Sequence, residues 1–265
     1  MVIDFHTHTF PDKIAEKSIS FLERKGGIKA VCSATRDTLV QVMNSGGADV
    51  SVVLPVATSP KQERTINSLS AEINGKDNVF YFGAIHPDCE NVEDTLDFIK
   101  ASGLRGIKLH PDYQGVYFDD ARYVKIMAEA AKRGLYIVTH SGVDIAYPDD
   151  IHCTPEMVLN VLERLDGIIN GKLILAHMGS YGAPEEVLLK LCGRDVFMDT
   201  AAVLDLYPEK CAGIIKKHGA DRILFATDSP WKSQKAYIML FNSLDIPDSD
   251  KEKILYENGR KILNI

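Results

Sequence analysis

Residues 104–141 run Leu104-Arg-Gly-Ile-Lys-Leu-His110, then Asp120-Ala-Arg-Tyr-Val-Lys-Ile-Met-Ala-Glu-Ala-Ala-Lys-Arg133, then Leu135-Tyr-Ile-Val-Thr-His-Ser141. The outer segments are short and rich in Leu, Ile and Val, as buried strands are. The middle one sets Val124, Met127, Ala128 and Ala131 at helical spacing, and Gly134 follows as a C-cap. Strand, helix, strand at this spacing is a βαβ unit, whose two strands run parallel in one sheet.

Outward from this unit the same alternation fills the chain. Strands are expected at Val2–His8, Asp49–Pro55, Asn78–His86, Leu104–His110, Leu135–Ser141, Lys172–His177, Asp195–Thr200 and Arg222–Asp228, eight in all. Ser59-Pro60, Thr154-Pro155 and Ala183-Pro184-Glu185 signal helix starts, with Pro at or near the first helical position. Pro247-Asp248 opens a last helix through Leu263 that should dock on the barrel. Eight strands, each followed by a helix, point to an α/β protein with a closed (β/α)8 TIM barrel. A doubly wound open sheet is the rival, but no G-x-G-x-x-G follows any strand. With no linker, composition shift or second core, residues 1–265 read as a single domain.

Composition narrows the function. Apolar residues make up 45% and charged residues 25%, the mix of a globular protein with a large core. The net charge of −7, with no Lys/Arg cluster, argues against a nucleic-acid partner, since phosphate neutralisation needs clustered cations. The longest nearly apolar run, Val50 to Ala57, falls well short of the roughly 20 residues that span a bilayer. The five cysteines (Cys32, Cys89, Cys153, Cys192, Cys211) form no C-x-x-C pair, so they read as free thiols. Without a visible secretory signal, a cytoplasmic protein is expected.

Six of the eight histidines (His6, His8, His86, His110, His140, His177) fall at the C-terminal end of an expected strand, and Asp228 closes the eighth strand in the same way. In this architecture that face carries the active site. Strand side chains alternate, so His6 and His8 should point the same way, as should Lys108 and His110. Two inward imidazoles at i and i+2 can hold one metal, and His140, His177 and Asp228 can join them from across the barrel. An N/O donor set suits zinc best, with manganese, iron or cobalt as alternatives. Singly, each residue has a plainer explanation: H-x-H is a weak signal, a lone strand-end His is commonly a core residue, and Asp228 before Ser229-Pro230 could serve a turn. Their joint occurrence on strands 1, 5, 6 and 8 is what points to a metal. His86 and His110 each precede a Pro, which turn formation explains equally well. His152 and His218 read as loop and helix-surface residues. Asp4 shares the parity of His6 and is expected to accept a hydrogen bond behind the ligands.

The ordered set Ile3-Asp-Phe-His-Thr-His8, Gly106-Ile-Lys-Leu-His-Pro111, His140, Ala176-His-Met-Gly179, Thr227-Asp-Ser-Pro230 and Asn258-Gly-Arg-Lys-Ile-Leu263 resembles the amidohydrolase superfamily. Within it, the similarity is to the branch that includes aminocarboxymuconate-semialdehyde decarboxylase. The resemblance implies a distorted barrel, with His6, His8, His140 and Asp228 as metal ligands and His177 as catalytic base or further ligand.

A metal with an open position brings bound water to a pKa of about 7. Asp228 can accept that water's proton, and His177 can polarise the substrate carbonyl or deprotonate the water itself. The expected activity is metal-dependent hydrolysis of a small amide, ester or lactone, with decarboxylation or hydration of an unsaturated acid as the alternative. A TatD-type nuclease is a further reading, but that family carries an acidic ligand on strand 4, where this chain has Lys108 and His110. A non-catalytic binding protein is the last, opposed by the presence of both Asp228 and His177. The expected partner is a small molecule, with no nucleic acid or membrane, and a homodimer is left open.

Lys108 bears on metal count. Beside a dication its ammonium must deprotonate, reach away, pair with a carboxylate such as Asp4, bind an anionic substrate group, or become a carbamate bridging two metals. One metal with unmodified Lys108 is expected. Tyr113, Gln114, Tyr117, Tyr147, Asp149, Asp150, His152, Trp231 and Lys232 lie in the loops that should set specificity, and Arg24 and Arg36 are the only arginines expected near them.

Overall fold

The computed structural model, which describes residues 1–265, arranges the eight expected strands as staves of a parallel barrel, the third stave in two pieces. The strands are β1 (Ile3–Thr7), β2 (Val50–Val53), β3 (Val79–Tyr81), β4 (Gly83–Ala84), β5 (Gly106–Leu109), β6 (Tyr136–Thr139), β7 (Leu173–Leu175), β8 (Phe197–Asp199) and β9 (Ile223–Leu224). One arc runs β1-β2-β3 and the other β4-β5-β6-β7-β8-β9. The ring closes between β9 and β1: Phe5 N donates to Phe225 O at 2.9 Å, Asp228 N to His6 O at 2.9 Å and His8 N to Ser229 O at 2.7 Å. Each strand is shorter than its apolar run. His8, His110, His140, His177 and Asp228 therefore sit just past the strand ends, on the loop face of the barrel.

The split in the third stave centres on Phe82. Tyr81 pairs with Val53 on one side, while Gly83 pairs with Ile107 on the other. Phe82 turns into the barrel and meets Phe5 edge-to-face, ring centroids 5.7 Å apart. Gly106 makes room, since a Cβ there would collide with the Phe82 ring and with Tyr136 O. Phe5 and Phe82 belong to an inner cluster with Ile3, Val50, Val52, Leu54, Val138, Ile174 and Leu224, which only the lumen can gather from so many staves. Ile262 and Leu263 complete it.

A register shift between Asp4 and Thr7 marks a bulge in β1. The extra residue breaks strict alternation. Phe5 joins the inner cluster, yet His6 also faces inward, with Nε2 3.3 Å from Lys108 Nζ. Asp4 turns the other way, accepting bonds from Gln234 Nε2 at 2.8 Å and Thr227 Oγ1 at 2.5 Å. The expectation that Asp4 shares the facing of His6 is corrected by this bulge.

Around the staves lie α1 (Asp12–Gly26), α2 (Arg36–Asn44), α3 (Glu63–Ile73), α4 (Val92–Ala101), α5 (Pro111–Gln114), α6 (Ala121–Lys132), α7 (Pro155–Arg164), α8 (Pro184–Glu186), α9 (Pro208–His218), α10 (Gln234–Asn242), α11 (Asp248–Glu252) and α12 (Asn258–Leu263). Thr154 caps α7 through Met157 N, with Pro155 following as the first helical residue. In α6 the buried stripe is Tyr123, Ile126, Met127 and Ala130, while Val124, Ala128 and Ala131 flank it half-buried. Tyr123 sets this rotation, because its hydroxyl donates to the buried Gln114 side chain.

Candidate active site

His6, His8 and Asp228 converge. His6 Nε2 lies 3.2 Å from His8 Nε2, and Asp228 Oδ1 lies 3.6 Å and 3.1 Å from those two nitrogens. The other ring nitrogens fix the tautomers. His6 Nδ1 donates to Asp199 Oδ2 at 2.8 Å, and His8 Nδ1 donates to Leu54 O at 3.0 Å. Both Nε2 lone pairs therefore point at one place, together with a carboxylate oxygen. Three acceptors so close repel one another unless a cation lies between them. Bonds of about 2.0–2.2 Å put neighbouring donors of a small metal roughly 3–3.5 Å apart, so the spacing fits such an ion.

His177 stands beside this group, its ring centroid 5.5 Å from that of His6. Its Nδ1 donates to Ala201 O at 3.0 Å, which leaves Nε2 to accept from His140 Nδ1 at 3.0 Å. Both His177 (φ 58°) and Asp228 (φ 71°) occupy left-handed backbone, uncommon for residues other than glycine and concentrated at functional sites.

His140, expected beside His6 and His8, is drawn away by its bond to His177. Its ring stacks on His110 at 4.5 Å, and the ligand atoms of His110, His140 and Asp144 form a second group within 4.8 Å of one another. Lys108 is buried between the groups and pairs with His6 rather than Asp4. Burial lowers its pKa to about 8, against the opposing pull of Asp199 and Asp228. Burial also holds His6, His110 and His140 well below the ordinary histidine value, so these rings are neutral acceptors.

Over residues 3–265 the sequence matches the family described as Amidohydrolase. The chain belongs to the amidohydrolase family. That family is metal-dependent, and this amidohydrolase is an enzyme of the hydrolase or lyase type. No curated protein matches it in sequence. Among solved structures it is similar to 2,6-dihydroxybenzoate decarboxylase from Rhizobium (18% identity, TM-score 0.73, covering 99% of this chain and 98% of that one). It is also similar to a dihydroxybenzoic acid decarboxylase from Polaromonas sp. JS666 with bound manganese and the inhibitor 2-nitroresorcinol (17%, 0.73, 99% and 96%). A third is a putative 2-pyrone-4,6-dicarboxylic acid hydrolase from Pseudomonas putida (16%, 0.67, 99% and 97%). At these identities the likeness shows the barrel fold. No helix of the amidohydrolase is long and apolar enough to cross a membrane.

The loops of this amidohydrolase sort the remaining candidates. Gln114 is committed to structure, donating to Ala57 O and Ile85 O and accepting from His110 N. Tyr113 meets His110 edge-on at 4.6 Å and Tyr147 at 5.4 Å, and Lys25 sits over the Tyr147 ring at 3.4 Å. Tyr181 faces the His177 ring at 5.9 Å. Arg36 is tied to Asp77 at 2.6 Å and Lys232 to Asp205 at 2.5 Å, while Arg24 is exposed. Tyr117 donates to Asp150 at 3.1 Å and stacks on His152. His86 serves its own loop, where its Nδ1 accepts from Asp88 N at 3.1 Å. His152 is only part-exposed and donates from Nδ1 to Asp112 Oδ1 at 3.1 Å.

Asp199, Asp144 and Tyr181 escaped the sequence reading, and His218 was misplaced by it. Asp199, fully buried on β8, orients His6 and also accepts from His177 N at 2.9 Å and Ala201 N at 3.0 Å. Its place at the end of a strand was the available signal, the same one that marks the histidines. His218 is buried rather than on the surface. It accepts from Gly193 N at 3.1 Å and bonds Val196 O at 3.0 Å, because the end of α9 folds against the segment leading into β8.

Proposed function

We propose that this amidohydrolase decarboxylates a small aromatic or unsaturated acid bearing a single carboxylate, at a zinc ion held by His6, His8 and Asp228. The observation that carries the reading is the chemistry of the site's surroundings. Tyr113 and Tyr181 pack at right angles on His110 and His177, with Tyr147 against Tyr113, while Arg36 and Lys232 are engaged by Asp77 and Asp205. A planar, mostly apolar body suits such walls. A polycarboxylate would want bidentate arginine. The Rhizobium and Polaromonas neighbours, both decarboxylases of dihydroxybenzoic acids, support the same class.

When bound, the metal supplies Lewis acidity toward the substrate's oxygens. Lys108, buried 3.3 Å from His6 Nε2, adds a positive group for an anionic oxygen. His177 Nε2, which accepts from His140 Nδ1, can instead accept from a hydroxyl of the substrate once the His140 ring gives up that bond. Decarboxylation breaks the carbon–carboxylate bond, leaves its electron pair on the carbon and releases carbon dioxide. That carbon takes up a proton, which Asp228 can carry on Oδ2 while Oδ1 faces the imidazoles.

Hydrolysis of a small ester, lactone or amide is the second reading, favoured by the putative hydrolase among the structural neighbours. A panel of hydroxybenzoates and unsaturated monocarboxylic acids, incubated with zinc- or manganese-loaded enzyme in deuterium oxide, separates the two. Expected are carbon dioxide release and deuterium at the vacated carbon, both lost in His8→Ala. Turnover of esters or lactones alone, lost in the same variant, would replace decarboxylation by hydrolysis.

A further inference from the structure

α1 is held unlike the other long helices. Of its 15 residues only Ala15 is buried, whereas α6, with 12, buries Tyr123, Ile126, Met127 and Ala130. A helix packed on a barrel hides an apolar stripe. In α1, Ile14 and Phe21 are instead exposed. Polar contacts do not hold it either. Residues 12–29 make hydrogen bonds and ion pairs only within their own excursion, such as those of Glu23 with Lys29 and Ala30 N. The excursion is pinned at its neck, where Phe10 N donates to Ala34 O and Val31 N to Pro230 O, both at 2.8 Å.

The two ends of α1 meet opposite lips of the barrel. The neck lies at the joint of β1 and β9, where Pro230 is two residues past Asp228. At the far end, Lys25 Nζ lies 3.4 Å from the centre of the Tyr147 ring and 5.3 Å from that of Tyr113. Gly26 backs onto Ile145, where an added Cβ would come within 3.0 Å of Cδ1. Tyr113 follows β5, and Ile145 and Tyr147 follow β6; in the ring of eight staves these stand opposite β9 and β1. A 15-residue helix is about 22 Å long, enough to bridge such a mouth. α1 thus crosses above the site, from the group of His6, His8 and Asp228 to Tyr113, which packs on His110.

We propose that Lys25 is a positioning residue: clasped by Tyr113 and Tyr147, it latches α1 across the mouth, and ligands enter and leave the site when this latch opens. The inference rests on that site being the place of reaction and holds for decarboxylation and hydrolysis alike. An ammonium over an aromatic face is held by the ring's quadrupole, an attraction modest enough to break and re-form. The contact of Gly26 with Ile145 adds little area, so the far end hangs on the lysine. Closed, α1 screens the site from water and strengthens the charge interactions within it.

Lys25→Met keeps the length and helix propensity of the side chain but removes its charge. Loss of the cation–π contacts should raise the open population roughly 3- to 30-fold. Two measurements on zinc-loaded protein read this without turnover. One is tryptic cleavage within residues 12–29, where Lys17, Arg24 and Lys29 remain as sites; the other is the rate at which EDTA removes zinc. Both rates should rise by that factor in Lys25→Met and in Tyr147→Leu, rise no further in the double variant, and return toward wild type in Lys25→Arg. Tm should stay constant throughout. Unchanged cleavage, or increases that multiply in the double variant, would overturn the latch. Faster cleavage with unchanged zinc removal would overturn its control of the site. If the chain binds no zinc, the metal reading fails instead, and cleavage alone decides the latch.

Discussion

Replacing Asp199 by Asn should separate metal binding from fold stability. In the native site Asp199 Oδ1 accepts from His177 N and Ala201 N, while Oδ2 accepts from His6 Nδ1 at 2.8 Å. Asparagine keeps one oxygen for the two backbone donors but turns an amide NH2 toward His6 Nδ1. Two donors at that distance repel, and the ring's cheapest response is to move its proton to Nε2. The proton then occupies the lone pair that faces His8 and Asp228. Loss of such a partner behind a ligand lowers metal affinity by about 10–100-fold, or roughly 1.4–2.7 kcal/mol. The metal-free fold should change little, because burial already raises the Asp199 carboxyl and disfavours its charge. Zinc competition titration measures the affinity, and nitrogen-15 shifts of the His6 ring report the tautomer. Affinity within about twofold of wild type, with the proton still on Nδ1, would refute this chain of reasoning.

Asp228→Asn should keep metal but lower turnover by roughly 10²–10⁴; near-normal turnover with metal retained would pass the proton role to His177. Gly106→Ala should destabilise by about 1–3 kcal/mol, read as a fall in Tm, since its Cβ meets Tyr136 O and the Phe82 ring; an unchanged Tm would contradict the packing. His218 supplies a pH dependence remote from the metal groups. Burial lowers its pKa below the ordinary 6.5, so the unfolded chain binds the extra proton first and stability falls as pH drops through and below about 6.5. Urea unfolding should show that loss in the wild type and a smaller one in His218→Asn, and equal losses would refute it.

The barrel was legible because a βα repeat writes itself in hydrophobic period, and the strand-end histidines mark its working face. Local irregularities left no such trace. Nothing in Ile3-Asp-Phe-His announces the bulge that turns Phe5 and His6 to one side, and nothing around Phe82 announces a divided stave. The division of the histidines into two groups depends on which ring nitrogen holds each proton. That is decided by partners distant in sequence, such as Asp199 for His6 and Ala201 O for His177. His218 misled because it follows Lys216 and Lys217 at a helix end, while its partners near Val196 lie on another element.

The wall of this barrel is two arcs, and that has a mechanical consequence. His6 and His8 belong to the arc of β1, whereas Asp228 follows β9 at the end of the other. An ion among these three acts as a clasp across the joint, reinforcing the few bonds that Phe5 N, His8 N and Asp228 N make there. Filling it should slow amide hydrogen exchange at those three positions above all others.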